Sequence, residues 1–115
     1  NRYVSEAVKF FAEHYAQRIT VGDVAAHVGL SRGYLQRLFK EDTGQTISHS
    51  IASLRVQHAC ELLISTDLSV YEIATQVGFS DANQFHIAFK AFVGVTPKTY
   101  RAANSVRVQC QHEVI

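Results

Sequence analysis

No stretch of this chain approaches the roughly 20 consecutive apolar residues that a membrane-spanning helix needs, although 47% of its 115 residues are apolar. The first residues show no charged segment followed by an apolar one, so no secretory leader is read there. Glycine is scarce, six in all, and never gathers into a phosphate-cradling loop or a Gly-x-Ser-x-Gly elbow. Cysteine is limited to Cys60 and Cys110, with no metal-ligand spacing. Cys60 falls in an apolar helical pattern and reads as a small core residue. Cys110 lies in a polar tail; a disulfide between the two stays open, although the usage resembles that of a cytoplasmic chain. The histidines (His14, His27, His49, His58, His86, His112) contain no His-x-x-x-His pair, and Cys110-x-His112 is a weak metal pattern. These absences argue against an enzyme and imply neither cofactor nor metal. No run alternates cleanly enough to be a strand. The formal net charge is only +1, which by itself gives little reason to expect a polyanionic partner.

What remains is helix. The length suits one ordinary domain with a core that needs no staples. The chain opens on Asn1 rather than Met, so it is expected to be a piece of a longer protein with a second domain beyond it. Val4, Val8, Phe11 and Tyr15 recur at the spacing of one helix face. Val24, Ala25 and Val28 fit a short second helix stopped by Gly29. Ser31 can cap a third, with Leu35, Leu38 and Phe39 inward and Gly44 at its end. Thr46 or Ser48 can open a long fourth helix carrying Ile51, Leu54, Ala59, Leu62 and Leu63, which fades at Ser65-Thr66-Asp67. Ser69 caps a fifth, with Val70, Ile73, Ala74 and Val77 apolar before Gly78. Asp81, at capping-box distance from Gln84, opens a sixth with Phe85, Ala88, Phe89 and Phe92 on its apolar face and Gly94 after it. Thr96-Pro97 then starts a short last helix over Lys98 to Arg101.

A repeat organises these elements. Val24-Ala25-Ala26-His27-Val28-Gly29-Leu30-Ser31 matches Ile73-Ala74-Thr75-Gln76-Val77-Gly78-Phe79-Ser80 at an offset of 49. Phe39-Lys40, Gly44 and Thr46 match Phe89-Lys90, Gly94 and Thr96 at an offset of 50, so the second copy carries an insertion near Asp81-Ala82. Two copies are too few to stack as a solenoid. Each has the layout of a helix-turn-helix: a short helix, a turn with glycine, then a second helix. The small Ala25 and Ala74 allow a close crossing, Gly29 and Gly78 can take the positive φ of a sharp turn, and Leu30 and Phe79 plug the angle. The expected fold is all-α, with two homeodomain-like three-helix subdomains joined by a long linker helix and about seven helices. The expected parts are residues 1–45 (first module), 46–66 (linker helix), 67–103 (second module) and 104–115 (a flexible tail).

These residues resemble the AraC/XylS family of bacterial transcription regulators over about residues 3–101. The second copy carries the resemblance most fully: Ile73-Ala74, Val77-Gly78-Phe79-Ser80, Asn83-Gln84-Phe85, Phe89-Lys90, Gly94, Thr96-Pro97 and Tyr100-Arg101. The linker helix adds Arg55, Ala59, Leu62 and Leu63. The resemblance implies a DNA-binding domain whose two modules each place their second helix in a major groove. It also implies an N-terminal effector or dimerisation domain, RNA polymerase as a further partner, and activation rather than repression. Three features depart from the family pattern. Ile87 stands where a basic residue is common. Ile47 takes the place of the second copy's Pro97. Gly33 lowers helix propensity by up to ~1 kcal/mol. Gly33 reads either as a frayed, solvated turn or as a place where close approach of DNA leaves no room for a side chain.

A recognition helix reads bases with its outward N-terminal residues. In the first module these are Arg32, Gly33, Gln36 and Arg37, with Tyr34 alongside. Arg37 can donate two bonds to a guanine, and Gln36 can pair with adenine. In the second module the set is Ala82, Asn83, His86 and Ile87. Asn83 can read adenine, and Ala82 or Ile87 can touch a thymine methyl. Lys40, Lys90, Lys98 and Arg55 are phosphate candidates, although Arg55 can instead pair within the protein. Charge is uneven: from Ala82 to His112 there are Lys90, Lys98, Arg101 and Arg107 and no acid, which can make one surface basic. The expected partner is double-stranded DNA carrying two unequal half-elements about one helical turn, roughly 34 Å, apart. Two alternatives are a helical protein-interaction module and a fragment of a DNA-repair methyl-acceptor regulator. Selection from random duplexes separates the first, and the missing N-terminal part separates the second.

Overall fold

The computed structural model describes residues 1–104; Cys110, Arg107, His112 and most of the expected tail lie outside them. The described residues are helical with no strand: α1 Arg2–His14, α2 Val21–Val28, α3 Arg32–Thr43, α4 Ile47–Ser65, α5 Val70–Gln76 and α6 Ala82–Val93, then α7 over residues 97–104. The last helix is thus longer than the Lys98–Arg101 turn expected, since Pro97 occupies a first-turn position that needs no N–H and nothing between 101 and 104 breaks it. No helix among the described residues is long and apolar enough to cross a membrane.

Local chemistry sets each helix start. Asn1 accepts from the N–H groups of Tyr3 and Val4, and Ser31, Ser69 and Asp81 accept from those of Tyr34, Glu72 and Gln84. These bonds satisfy donors that a helix leaves orphaned. Thr46, rather than Ser48, caps α4 through the His49 N–H at 3.1 Å, and Thr96 does the same for α7 through Thr99 at 3.2 Å. A full capping box forms at Thr20 and Asp23, each side chain bonding the other's backbone N–H; at Asp81 the described bond runs to the Gln84 N–H at 2.7 Å.

The chain divides into two compact units, Asn1–Arg55 and a second from Val56 on. The first buries Val4, Ala7 and Phe11 of α1, Val24 and Ala25 of α2, Leu35 and Phe39 of α3, and Ile47 and Ile51 of α4. Phe11 meets Phe39 edge to face with centroids 6.0 Å apart. The second buries Val56, Ala59 and Leu63 of α4, Ile73, Ala74 and Val77, Phe85 and Phe89 of α6, and Pro97. Its rings run Phe79–Phe85–Phe89–Tyr100 with successive centroids 5.3–5.6 Å apart. Each fully buried phenylalanine contributes about 1.5–3 kcal/mol of transfer free energy. Two residues expected inside are not. Val8 is 43% exposed, because the α1 stripe runs through the small Ala7 one step round; Phe92, in the last turn of α6, is 37% exposed.

The structure places the insertion between the copies. Gly29 (φ 80°) and Gly78 (φ 101°) sit at an offset of 49, both in the left-handed region that disfavours any other residue. The N-caps Ser31 and Asp81 are 50 apart, and α3 and α6 both have 12 residues. The extra residue therefore lies in the second turn, Gly78-Phe79-Ser80-Asp81. Ser80 matches Ser31 in the string, but capping passes to Asp81.

Candidate nucleic-acid interface

Two twelve-residue helices, α3 and α6, are pinned in their own units by the same inward pair, Leu35 with Phe39 and Phe85 with Phe89, each 0–1% exposed. That burial fixes each helix's rotation and decides which side chains face outward.

On α3, Arg32, Gly33, Tyr34, Gln36, Arg37 and Lys40 are all exposed. Arg32, Gln36 and Lys40 form one stripe at helical spacing, and Gly33 with Arg37 an adjacent one. The first turn is closed rather than frayed: Ser31 accepts from the Tyr34 N–H at 3.3 Å and its carbonyl from the Leu35 N–H at 3.0 Å. A Cβ at Gly33 would meet nothing within 4 Å, so no protein neighbour explains the glycine. The Arg37 guanidinium lies 5.7 Å from the centre of the Tyr34 ring, a cation–π contact that holds it on the outward face.

On α6, Asn83, His86, Ile87 and Lys90 are exposed, Ile87 by 64%. Ala82 is half-buried, which leaves it the least available of the five. Lys98 is exposed on α7, off the α6 face. None of Arg32, Arg37, Lys40, Lys90 and Lys98 is in an ion pair among the described residues. Their charge is therefore available to an outside anion. Lys40 and Lys90 also stand in the last turns of α3 and α6, where a cation offsets the negative helix end.

The basic surface is smaller than the charge count implies. Arg55 is not a phosphate ligand held ready: its Nε donates to the Tyr15 carbonyl at 2.8 Å and its guanidinium to that of Gln17 at 3.0 Å. Burial pulls its pKa below the ordinary value. In the second unit Arg101 does the matching work, donating to the carbonyls of Leu63 at 2.9 Å and Thr66 at 3.2 Å. Each arginine clasps carbonyls at or just past the C-terminal end of its unit's first helix, α1 or α4, where not every acceptor has a partner within the helix. Sequence reasoning held an internal role for Arg55 only as an alternative and did not foresee the matching one for Arg101. The repeat did not mark it, since Arg55 and Arg101 stand 46 residues apart rather than 49 or 50. Cys60 is half-buried and in no disulfide among the described residues, and burial pushes its thiol pKa up. Among the described residues no cluster of His, Cys, Asp and Glu could hold a metal ion.

The family described as "Helix-turn-helix domain" matches residues 24–103. The melibiose operon regulatory protein of Escherichia coli (strain K12) is 36% identical over 107 residues, which is 93% of this chain. This chain belongs to the AraC/XylS helix-turn-helix family. It spans only 35% of that relative's length. Among solved structures, the C-terminal domain of AraT, a response regulator from Geobacillus stearothermophilus, is similar with a TM-score of 0.86. It is 35% identical over 90% of this chain and 86% of its own. The DNA-binding domain of AdpA, a global transcriptional factor solved in complex with a target DNA, has a TM-score of 0.85. It is 32% identical over 90% of this chain and 94% of its own. Within this AraC/XylS chain, the two units account for the family's paired modules, with α2–α3 and α5–α6 as the two helix-turn-helix pairs.

Proposed function

We propose that this chain is the sequence-specific DNA-binding part of a bacterial transcription regulator, laying α3 and α6 into successive major grooves of double-stranded DNA. The observation that carries the reading is the outward face of α3: Arg32, Gln36 and Arg37 are exposed, unneutralised by any carboxylate among the described residues, and set on a capped helix whose rotation is fixed by Leu35 and Phe39. An arginine and an amide presented this way can each make two bonds to one base edge, worth about 1–3 kcal/mol of discrimination apiece. Lys40, Lys90 and Lys98 supply charge to phosphates, a contribution that falls with salt. Tyr34 supports Arg37, Gly33 permits close approach, and Asn83 and His86 provide polar contacts from α6. The two faces differ, so the site is directional and not a palindrome.

In the longer protein this part works with an effector or dimerisation domain and with RNA polymerase, as an activator in the cytoplasm. The test of the binding reading is selection of duplexes from a random pool with the purified chain, followed by footprinting. Two short elements about one helical turn apart are expected. No enriched sequence, or a footprint on a single groove, refutes it.

A further inference from the structure

Resting on that DNA-reading proposal, we infer that Ile87 is a specificity-determining residue that recognises the 5-methyl group of a thymine, so that the element read by α6 is defined by an apolar contact where α3 uses charge. The equal lengths and aligned caps of the two helices put Ile87 at the sixth position of α6, the position that Arg37 holds in α3. Ile87 is 64% exposed, with the fully buried Phe85 and Phe89 turned the other way. It shares its face with the exposed Asn83 one turn earlier. Of the two apolar side chains at the start of this face, Ala82 is half-buried and short, and Ile87 is long and open. A branched hydrocarbon at a base-reading position can neither donate nor accept a hydrogen bond. The apolar group that a base pair presents in the major groove is the thymine methyl. Asn83 and Ile87 together fit adenine and thymine edges, whereas Gln36 and Arg37 fit adenine and guanine.

The experiment removes the methyl from the DNA and the hydrocarbon from the protein separately. In the selected duplex each thymine is replaced singly by deoxyuridine, which keeps every hydrogen-bonding group and lacks only the methyl. Binding to the chain and to Ile87→Ala is then measured. At one thymine the wild-type chain is expected to lose affinity about four-fold, the factor that one buried methylene corresponds to, and Ile87→Ala to lose nothing further there. Selection with Ile87→Arg is expected to change the preference at that position from thymine to guanine. The inference is overturned if no deoxyuridine matters, or if the same one matters equally to Ile87→Ala. Failure of the selection to enrich any sequence instead removes the DNA-reading proposal, and this inference with it. Ile87 is 64% exposed, so neither substitution removes a core contact, and comparing thymine with deoxyuridine on one protein sample cancels any change in its folded fraction.

Discussion

Replacing Gly33 by alanine sets protein stability against DNA affinity at one residue. Gly33 is the second residue of α3, outside the left-handed region occupied by Gly29, Gly44, Gly78 and Gly94. A Cβ there meets no atom within 4 Å, so alanine introduces no clash and no backbone strain. It narrows the unfolded ensemble and raises helix propensity, two descriptions of one effect worth about 0.4–1 kcal/mol. The first turn lacks some of the constraints of a helix interior, so about 0.5 kcal/mol is expected. For a unit of this size that is a rise of roughly 2–4 °C in the unfolding midpoint, with an unchanged urea m-value. The DNA affinity moves the other way. If Gly33 lets the α3 backbone approach the duplex, the methyl lifts the helix away from the bases that Gln36 and Arg37 read. Losing one such contact, about 1–3 kcal/mol, weakens binding roughly 5- to 150-fold. Urea unfolding and binding to the selected duplex check the two signs on the same sample. A variant that is more stable and binds undiminished refutes the close-approach argument. A less stable one refutes the reading of open space around Gly33.

Tyr34→Leu keeps much of the apolar bulk and removes the ring under Arg37; a double-mutant cycle with Arg37→Ala is expected to give a coupling of about 0.5–1 kcal/mol in DNA affinity, and additivity would show that the ring does not position the guanidinium. Lys40→Ala is expected to weaken binding to all duplexes alike and to lower the salt-dependence slope by about 0.9. Arg55→Met, by contrast, should leave that slope unchanged while destabilising the fold by about 1–2 kcal/mol through the lost bonds to Tyr15 and Gln17; equal slope changes in both variants would return Arg55 to the interface. Phe89→Ala, at a fully buried ring between Phe85 and Tyr100, is expected to cost about 3–5 kcal/mol by chemical denaturation, and a loss under 1 kcal/mol would show that this core repacks freely.

The helix starts were legible because capping is local: a side chain such as Ser31, Ser69, Asp81 or Thr96 needs only a backbone N–H two or three residues away. The outward face of α3 was legible for a related reason, since a large inward pair, Leu35 and Phe39, leaves the opposite side to Arg32, Gln36 and Arg37. The long helix was harder to read. Its buried residues Ile47 and Ile51 serve the first unit and Val56, Ala59 and Leu63 the second, so apolar residues lie on more than one face and no single stripe emerges. Val8 was misplaced because helical spacing tolerates a step to either side, and which neighbour goes in depends on how closely another helix approaches Ala7.

By itself the sequence determined the duplicated modules, their turns and caps, and the exposed faces of α3 and α6 that are proposed to read DNA. All of these follow from short-range stereochemistry repeated at a fixed offset. Only the tertiary structure decided which basic residues stay available. Arg37 and Arg55 look alike in the chain. One remains on an exposed helix face above Tyr34, while the other reaches helix-end carbonyls 38–40 residues earlier. The carbonyls of Tyr15 and Gln17, just past α1, take the guanidinium that the fold brings to them, and which arginine arrives there is set by tertiary packing.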